Sequence, residues 1–282
     1  HDGTLTIQKN GETVGTFTAN QAGNSTLDIA ITAQDIINAV NGMTDAEKAA
    51  LCSALNCGSG EEPGGGEPTA FTCGTSKMTD TDGNEYETVQ IGGQCWTKTN
   101  LRSTKAADGT AIPAGSTYSY TEPYYYDYSG HSLPLETRGY LYNWEAAKLV
   151  CPAGWHLPSD EEWNTLEETV SGSDWQSGYA TSAGWRGSHA GRLSGDGWNA
   201  SSTAGAPGNA ADADHNASGF GAVPAGYWYY GFYLAGIGAY FWSSTEGGAG
   251  IAWYRGLYYN DAGVYRNDDS RLIGFSVRCL RD

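Results

Sequence analysis

The residues best suited to a chemical role are concentrated in residues 251–273, a segment crowded with Tyr, Asn, Asp, Arg, Gly and Ala. Tyr offers a large contact area at a low cost in conformational entropy, and small polar residues adapt their hydrogen bonds to a partner. The flanking motifs, WSSTE at residues 242–246 and GFSVRC at residues 274–279, carry the apolar anchors and the cysteine expected of a scaffold. This pattern indicates recognition of a partner rather than catalysis.

Several residues of this segment are expected to be exposed and clustered on one surface. They are Tyr254, Tyr258, Tyr259, Tyr265 and Arg266, with Trp253 or nearby aromatic residues. Their spacing mixes strand-like alternation with loop positions, so they cannot all lie in the core, and exposed tyrosines in a cluster mark an interaction site. The complete set of predicted ligand-binding residues is Trp253, Tyr254, Gly256, Tyr258, Tyr259, Asp261, Ala262, Tyr265, Arg266, Asp268, Asp269 and Leu272. If these tyrosines are core residues instead, the recognition surface is expected around residues 124–126.

The sequence lacks the signatures of an active site. Its histidines are scattered without a metal-ligand spacing such as HExxH, at positions His1, His131, His156, His189 and His215. No GxSxG motif, phosphate-binding loop or dinucleotide fingerprint occurs. His156 is predicted to be a packed structural residue, and Glu161 and Glu162 are predicted to offset a helix dipole. We therefore predict a protein that is not an enzyme, with no catalytic residue and no cofactor.

Two short helices are predicted to support the segment. Ser159 has the context of a helix N-cap, with Glu162 as the third helical residue and with Trp163 and Leu166 facing inward. Another helix is predicted over residues 141–150 and is ended by a proline shortly afterwards.

Residues 71–282 are predicted to form one α+β domain. A hairpin is expected over residues 85–96, closed by two consecutive glycines, and a polar, Tyr-rich loop is expected over residues 103–137. Beyond residue 171, glycine and short polar runs dominate. Few helices, short strands and long loops around a small core define this architecture.

A separate small module of a β-hairpin and helices is predicted for residues 1–57. Asn10-Gly11 separates two alternating runs, which is a strong hairpin signal, and a third strand followed by two helices is expected over residues 26–55. Such a unit buries little surface alone, so we expect it to pack on copies of itself, as in a homotrimer, or on a neighbouring module. Residues 58–70, rich in Gly, Pro and Glu, are predicted to be a linker.

The composition of the chain bears on its partners and on its location. The 282 residues include 15 Lys or Arg and 32 Asp or Glu, so the formal net charge is −17. Such a chain repels phosphate backbones and anionic lipids, which argues against binding to nucleic acids or membrane surfaces. No apolar run approaches the ~20 residues of a transmembrane helix. Six cysteines without a paired CxxC pattern favour disulfides, and hence a location outside the cytosol or on a particle that matures outside it.

Five groups of motifs occur in order along the second domain. They are YETVQIG, QCW and NL within residues 86–101, GYLYNW and CPAGWHLPSDEEW within residues 139–163, FGAVPAG at 220–226, FWSSTE at 241–246, and GFSVRC at 274–279. Together they resemble the major paralogous domain of Fibrobacter and Bacteroidetes proteins. The resemblance covers about residues 71–282 and implies a C-type-lectin-like fold, with two helices, a small twisted sheet and long loops that present a binding face.

The resemblance also implies the cysteine pairing. Cys151 would pair with Cys279, as in C-type lectins, and Cys73 would pair with Cys95 in the N-terminal hairpin. The remaining Cys52 and Cys57 are five residues apart and pair with each other only if their helix ends near residue 55; otherwise they bridge between chains. Trp155 and Trp163 are expected to be core anchors in this fold.

The sequence lacks the calcium-binding signatures known from C-type lectins. Calcium-dependent lectins carry Glu-Pro-Asn and Trp-Asn-Asp signatures, whereas this chain has Trp198-Asn199-Ala200 and no Glu-Pro-Asn. We therefore expect ligand binding without Ca²⁺ or Zn²⁺. A structural Ca²⁺ ion near Asp212, Asp214 and Asn216 is the alternative.

Two further resemblances bear on attachment and variability. Residues 3–21 resemble the N-terminal repeat of tail-fibre proteins from gut phages and prophages, which implies an attachment module. The C-terminal segment resembles the variable proteins of diversity-generating retroelements, in which mutated adenines alter asparagine codons. The positions that look substituted are Gly256, Tyr258, Asp261, Ala262, Tyr265, Asp268, Asp269 and Leu272. Ordinary drift of a loop sequence is the competing explanation.

These resemblances imply an extracellular receptor-binding protein whose partner is a cell-surface protein or glycan. The first hypothesis is a phage or prophage tail protein that contacts tail subunits through residues 1–57. The alternative is an adhesin of a bacterial cell surface or pilus tip, attached to pilus subunits. A third hypothesis is an enzyme like the formylglycine-generating oxidases of the same fold; it requires reactive cysteines, which are here expected to form a structural disulfide.

Overall fold

The structure is a computed structural model that describes residues 4–9, 12–18 and 71–282. The chain divides into two units, His1–Thr69 and Ala70–Asp282. In the first unit, β1 (Thr4–Lys9) pairs antiparallel with β2 (Glu12–Thr18), so the hairpin predicted around Asn10-Gly11 is present. The further strand and helices predicted for this unit, the linker, and Cys52 and Cys57 lie outside the described residues.

Residues 71–282 form an α+β unit with few helices and several small sheets, as predicted. The helices of this unit are α1 (Leu135–Arg138), α2 (Trp144–Ala147), α3 (Asp160–Ser171) and α4 (Ala190–Leu193), with 3-10 turns at Gly172–Asp174 and Ser177–Ala180. None of the helices in the described part of the chain has the length and apolar character needed to cross a membrane.

Two four-stranded sheets dominate the unit, with strand orders β5-β6-β16-β9 and β10-β15-β14-β13. The first contains β5 (Thr88–Ile91), β6 (Gln94–Thr97), β9 (Trp155–His156) and β16 (Leu280–Arg281). The second contains β10 (Gly184–Arg186), β13 (Gly238–Gly248), β14 (Ile251–Tyr258) and β15 (Val264–Ser270). The short pairs are β3 (Met78–Thr79) with β4 (Glu85–Tyr86), β7 (Tyr125–Tyr126) with β8 (Leu141–Tyr142), and β11 (Tyr227–Trp228) with β12 (Phe232–Tyr233).

Helix α3 forms where its capping signal lies in the sequence. The Ser159 hydroxyl accepts a hydrogen bond from the backbone N–H of Glu162, and the Glu162 carboxylate accepts one from the backbone N–H of Ser159. This capping box satisfies donors that the first helical turn leaves free. Trp163 and Leu166 are buried, as predicted, and the helix ends at Gly172, whose φ of 60° favours glycine.

The helix predicted over residues 141–150 is shorter than expected. Residues 141–142 form strand β8, and only Trp144–Ala147 is helical. The reason is Asn143, whose side chain accepts a hydrogen bond from the backbone N–H of Ala146, so that the helix begins at Trp144, three residues later than predicted. The backbone N–H of Tyr142 instead donates to the carbonyl of Phe275 at 2.8 Å.

The predicted hairpin and disulfides hold the two ends of the unit together. Strands β5 and β6 pair with Ile91 opposite Gln94, which leaves the two glycines as the turn. The Cys73–Cys95 and Cys151–Cys279 disulfides are both present, as the resemblance implied. The second closes a loop with a sequence separation of 128 residues. In the chain-entropy model such a closure stabilises the fold by roughly 5 kcal/mol.

The core contains only one of the two tryptophans predicted to anchor it. Trp163 is buried and packs on Trp96 with ring centroids 4.9 Å apart. Trp155 is only partly buried and meets Phe71 edge to face at 5.7 Å. It lies in β9 at the edge of its sheet, where one side of the strand has no neighbour.

A buried network of charges joins α3 to the second sheet. Arg255 of β14 donates to Glu167 Oε1 and to Asp160 Oδ1, each at 2.6 Å, and Arg266 of β15 donates to Asp160 Oδ2 at 2.7 Å. Arg186 of β10 also donates to Glu167. Burial raises the pKa of the Glu167 carboxyl, but the positive charge of Arg255 and the other partners outweigh burial and lower it. Glu167 therefore stays ionised inside the protein.

Replacing Glu167 by Ala should lower the free energy of unfolding by about 3–5 kcal/mol, because Arg186 then loses its carboxylate and Arg255 loses one of its two. Urea unfolding followed by circular dichroism measures this change. The matched control is Glu168→Ala on the exposed side of the same helix, which should alter stability by less than about 0.5 kcal/mol. Equal losses in the two variants would show that the network contributes nothing specific.

Candidate functional site

The sheet β10-β15-β14-β13 has two unlike faces, because side chains alternate along each strand. One face carries Arg255 and Arg266 and packs on α3. The opposite face carries Tyr240, Tyr254 and Tyr265 on three neighbouring strands. The ring centroids of Tyr240 and Tyr254 are 6.2 Å apart, and those of Tyr254 and Tyr265 are 6.3 Å apart.

A cavity of about 410 Å³, here called the tyrosine pocket, opens on this second face. It is lined by Tyr227, Tyr229, Leu234, Tyr240, Tyr254, Tyr258, Asp269, Ser270, Ile273 and Phe275. Phe275 packs against Tyr240 and Tyr254 at centroid distances of 5.2 and 4.9 Å. A concave, mostly aromatic space of this size suits a small ligand or one protruding group of a larger partner.

Asp269 supplies the charge of the tyrosine pocket. Its Oδ1 accepts a hydrogen bond from the backbone N–H of Ser270 at 2.7 Å, and it has no salt-bridge partner within residues 71–282. Although the residue as a whole is exposed, removal of water from its carboxyl raises the pKa of Asp269. The hydrogen bond from Ser270 lowers this pKa and only partly offsets the rise, to which the negative charge of Asp268 adds.

The charge of Asp269 also reaches the tyrosines around it. Burial raises the pKa of Tyr254, and the negative charge of Asp269 raises it further. The pKa of Tyr227 is raised by burial, by Tyr258 and Tyr233, and by Asp269. These tyrosines therefore stay neutral and can serve as hydrogen-bond donors at neutral pH.

The structure divides the predicted ligand-binding residues among three places. Tyr254, Tyr258 and Asp269 line the tyrosine pocket. Trp253 and Asp268 face each other across β14 and β15 on the other side of the sheet. The remaining half-buried residues lie in the connection between these strands and within β15; they are Tyr259, Asp261 and Ala262 in the connection and Tyr265 in the strand.

The prediction that these aromatic and basic residues are largely exposed is wrong. Tyr254 and Arg266 are buried, at 6% and 5% exposure, and the others are only half-buried, namely Trp253, Tyr258, Tyr259 and Tyr265. Gly256 and Leu272 are buried as well. Residues 251–273 are mostly two paired strands rather than a loop. Side chains along a strand point alternately to the two faces of the sheet, and Arg266 points to the face that packs on α3. There its guanidinium pairs with Asp160 and lies 3.6 Å from the centre of the Trp253 ring.

Seven of the ten residues that line the pocket were not selected by sequence reasoning. Tyr227, Tyr229, Leu234 and Tyr240 precede the Tyr-rich segment, Phe275 lies in a motif interpreted as scaffold, and Ser270 and Ile273 lie in the segment itself. The available signal was the run YWYY at residues 227–230. Next to the pocket, Tyr230 is 60% exposed, and its ring lies 4.8 Å from that of Tyr118.

The alternative surface around residues 124–126 belongs to the interior. Tyr126 is buried and stacks on Trp228 with ring centroids 3.8 Å apart. Tyr124 and Tyr125 are half-buried, and Tyr125 packs on Tyr140. This segment pairs with β8 and supports the fold next to the pocket.

The proposed ion site near residues 212–216 is occupied by internal hydrogen bonds. The Asp212 carboxylate accepts hydrogen bonds from the backbone N–H groups of Gly205 and Asp214. The Asp214 carboxylate accepts a hydrogen bond from the side-chain Nε of Arg192. Asn216 accepts the backbone N–H of Gly221. Across the described ranges, no group of three or more His, Cys, Asp or Glu side chains is arranged to hold a metal ion.

His156 is not packed in the core as predicted, since its side chain is 37% exposed. Its ring bonds Asp282 Oδ1 at 2.5 Å and Glu162 Oε1 at 2.9 Å. Burial alone would lower the pKa of His156, but these two carboxylates outweigh burial and raise it. The residue therefore links the C-terminal end of the domain to the first turn of α3.

Most of the α+β unit is similar to a known protein family. The model of a family described as the Fibrobacter succinogenes major domain matches residues 89–281. Searches among curated proteins and among solved structures gave no match.

Tyr254 should behave as a core residue and Trp185, which is 46% exposed beside Tyr265, as a surface residue. Tyr254→Ala should lower the free energy of unfolding by about 3–5 kcal/mol, as removal of a buried aromatic ring does. Trp185→Ala should cost less than about 1 kcal/mol. Chemical denaturation compares the two variants, and a larger loss for Trp185→Ala would contradict the assigned burial of Tyr254.

The ion pairs of His156 should stabilise the fold mainly at acidic pH. A histidine with a raised folded-state pKa gives its full stabilisation below the unfolded pKa and loses it as the pH rises through the folded pKa. The melting temperature of the wild type should therefore exceed that of His156→Gln by more at about pH 5.5 than at about pH 8.5, around the unperturbed histidine value.

His131 provides a control of opposite sign, because burial lowers its pKa despite its hydrogen bond to the carbonyl of Pro224. The melting temperature of His131→Gln should fall further below that of the wild type as the pH rises from acidic to basic, since the neutral ring is the stabilising form. Parallel trends in the two variants would contradict the assignment.

Proposed function

We propose that this chain, which belongs to the Fibrobacter succinogenes major domain family, is a non-enzymatic, extracellular receptor-binding protein that recognises its partner through the tyrosine pocket. The observation that carries the proposal is the pocket itself. It presents six aromatic rings and one carboxylate, and half of these rings and the carboxylate lie on a sheet that a buried charge network holds to α3. Aromatic residues on a rigid support are typical of recognition sites.

The composition of the pocket favours binding over catalysis. A nucleophile needs an adjacent base to be activated, and the described lining of the pocket contains no histidine, lysine or cysteine beside Ser270. The cysteines 73, 95, 151 and 279 are held in disulfides, which speaks against a formylglycine-generating-like activity that uses reactive thiols. Disulfides also fit a protein that acts outside the cytosol.

We further propose that the α+β unit is a C-type-lectin-like domain on a phage or prophage tail. The placement of the Cys151–Cys279 disulfide between the helical region and the final strand supports this fold. The β1–β2 hairpin would belong to the attachment module, through which tail subunits hold the protein.

Variation of the kind made by diversity-generating retroelements would act through the pocket positions. Tyr258 and Asp269 line the pocket, and the half-buried Tyr265 lies on the same sheet face. These positions can change without unpairing the buried arginines. Leu272, by contrast, is buried, so variation there would alter the packing that supports the pocket.

The proposal is tested on an array of bacterial surface glycans and surface proteins probed with the full chain. The double variant Tyr229→Ala/Tyr258→Ala should weaken wild-type array binding by about 30-fold or more, because aromatic hot spots contribute ~2 kcal/mol or more. Tyr179→Ala, which alters a half-buried tyrosine outside the pocket lining, is the control and should bind like the wild type. A folded double variant that binds normally would place the recognition surface elsewhere.

A further inference from the structure

We infer that the tyrosine pocket is an aromatic cage for a cationic group with an apolar shell, such as a quaternary ammonium, with Asp269 as its counter-ion. This inference rests on the proposed function, because it names the chemical class that the same pocket would bind. It concerns one group of the partner, whether that group is free or part of a larger surface molecule.

The rings of the pocket are oriented to surround a guest. Tyr227 and Tyr258 each meet the ring of Tyr240 nearly at right angles, at 83° and 88°, with centroid distances of 5.4 and 6.2 Å. Tyr254 is tilted by 52° against Tyr240. Rings set at such angles direct several π faces and edges towards one space. The negative face of an aromatic ring attracts a cation within about 6 Å of its centre.

The fixed charge of the pocket is negative and uncompensated. Asp269 uses Oδ1 for the backbone N–H of Ser270, and the described lining contains no arginine, lysine or histidine. By contrast, Asp160 and Glu167 on the opposite face of the sheet are paired with Arg255 and its neighbours. A cationic guest would therefore meet a carboxylate that the protein has left without an ion-pair partner within residues 71–282.

The remaining polar groups suit a guest with few hydrogen-bonding groups. Beside Asp269, the lining offers Ser270 and tyrosine hydroxyls, and burial and the neighbouring Tyr258 raise the pKa of the Tyr240 hydroxyl, so that it stays neutral. A neutral sugar carries many hydroxyls that need partners when buried, whereas an alkylated ammonium needs none. The carboxylate disfavours an anionic guest, as does the net charge of −17.

The test compares choline with its uncharged carbon analogue, 3,3-dimethyl-1-butanol, by isothermal titration of the full chain. The two probes have nearly the same shape, so their difference isolates the charge. Choline should bind at least about tenfold more tightly than the alcohol, because only the cation is attracted by the rings and by Asp269. This comparison uses the wild type and needs no variant.

Matched variants assign the effect to the pocket. Asp269→Asn should weaken choline binding by about fivefold or more and leave the alcohol unchanged, in line with the loss of one close charge. Asp268→Asn removes the same charge from the neighbouring residue on the opposite sheet face and should retain choline binding within about twofold, since the more distant charge is screened by water and salt.

The two proposals fail separately. Equal affinities for choline and the alcohol, absence of choline binding, or equal effects of the two aspartate variants would overturn the aromatic cage. If array binding is nevertheless lost in Tyr229→Ala/Tyr258→Ala, the receptor-binding function stands with a ligand of another class. If choline binds as expected while array binding survives that double variant, the cage stands and the pocket is not the receptor site.

Discussion

Two arginines on neighbouring strands fix how the central sheet meets the rest of the domain. Arg255 and Arg266 are opposite each other in the β14–β15 register, and both reach the carboxylates of α3. A slip of one residue in either strand would turn its arginine to the other sheet face and remove one of the positive charges that pair with the carboxylates of α3. The network therefore specifies the register, and the register places Tyr254 and Asp269 on the pocket side.

Buried ion pairs contribute more to choosing one arrangement than to overall stability, since removing charges from water costs about as much as their attraction returns. Such a network suits a binding protein in which the residues of the pocket vary while the arrangement of the fold is kept. The stabilising charges, the capping box of α3 and the Cys151–Cys279 disulfide all lie away from the pocket lining. Substitutions at Tyr258 or Asp269 leave each of these contacts in place.

The parts of the fold that could be predicted from the sequence are those set by local interactions. The capping box joins Ser159 to Glu162 three residues later, and two consecutive glycines form the turn of the β5–β6 hairpin. The disulfide pairing spans 128 residues and followed from the family resemblance, not from spacing. The late start of the helix predicted over residues 141–150 was missed because Asn143 can cap a helix as well as continue one.

The site was predicted in part, for a physical reason. A segment rich in Tyr, Gly and Asp has the composition of a loop, but its residues pair with β13 and β10, which lie elsewhere in the sequence. Pairing decides which side chains are covered, so the burial of Tyr254 and Arg266 depended on distant residues. The same applies to Tyr227, which reaches the pocket only because β11 lies close to β13 in the folded chain.

Gly256 shows how a buried position can still shape the site. It lies opposite Tyr240 on one side and opposite Tyr265 on the other. A Cβ atom there would lie 3.6 Å from the Tyr240 ring and 3.5 Å from Tyr265 Cβ, which is ordinary van der Waals contact. Alanine therefore fits, whereas a larger side chain would press on Tyr240, whose ring lines the pocket. Since Tyr240 also packs on Phe275 and Tyr227, a change at this one position alters the pocket shape without touching the ligand.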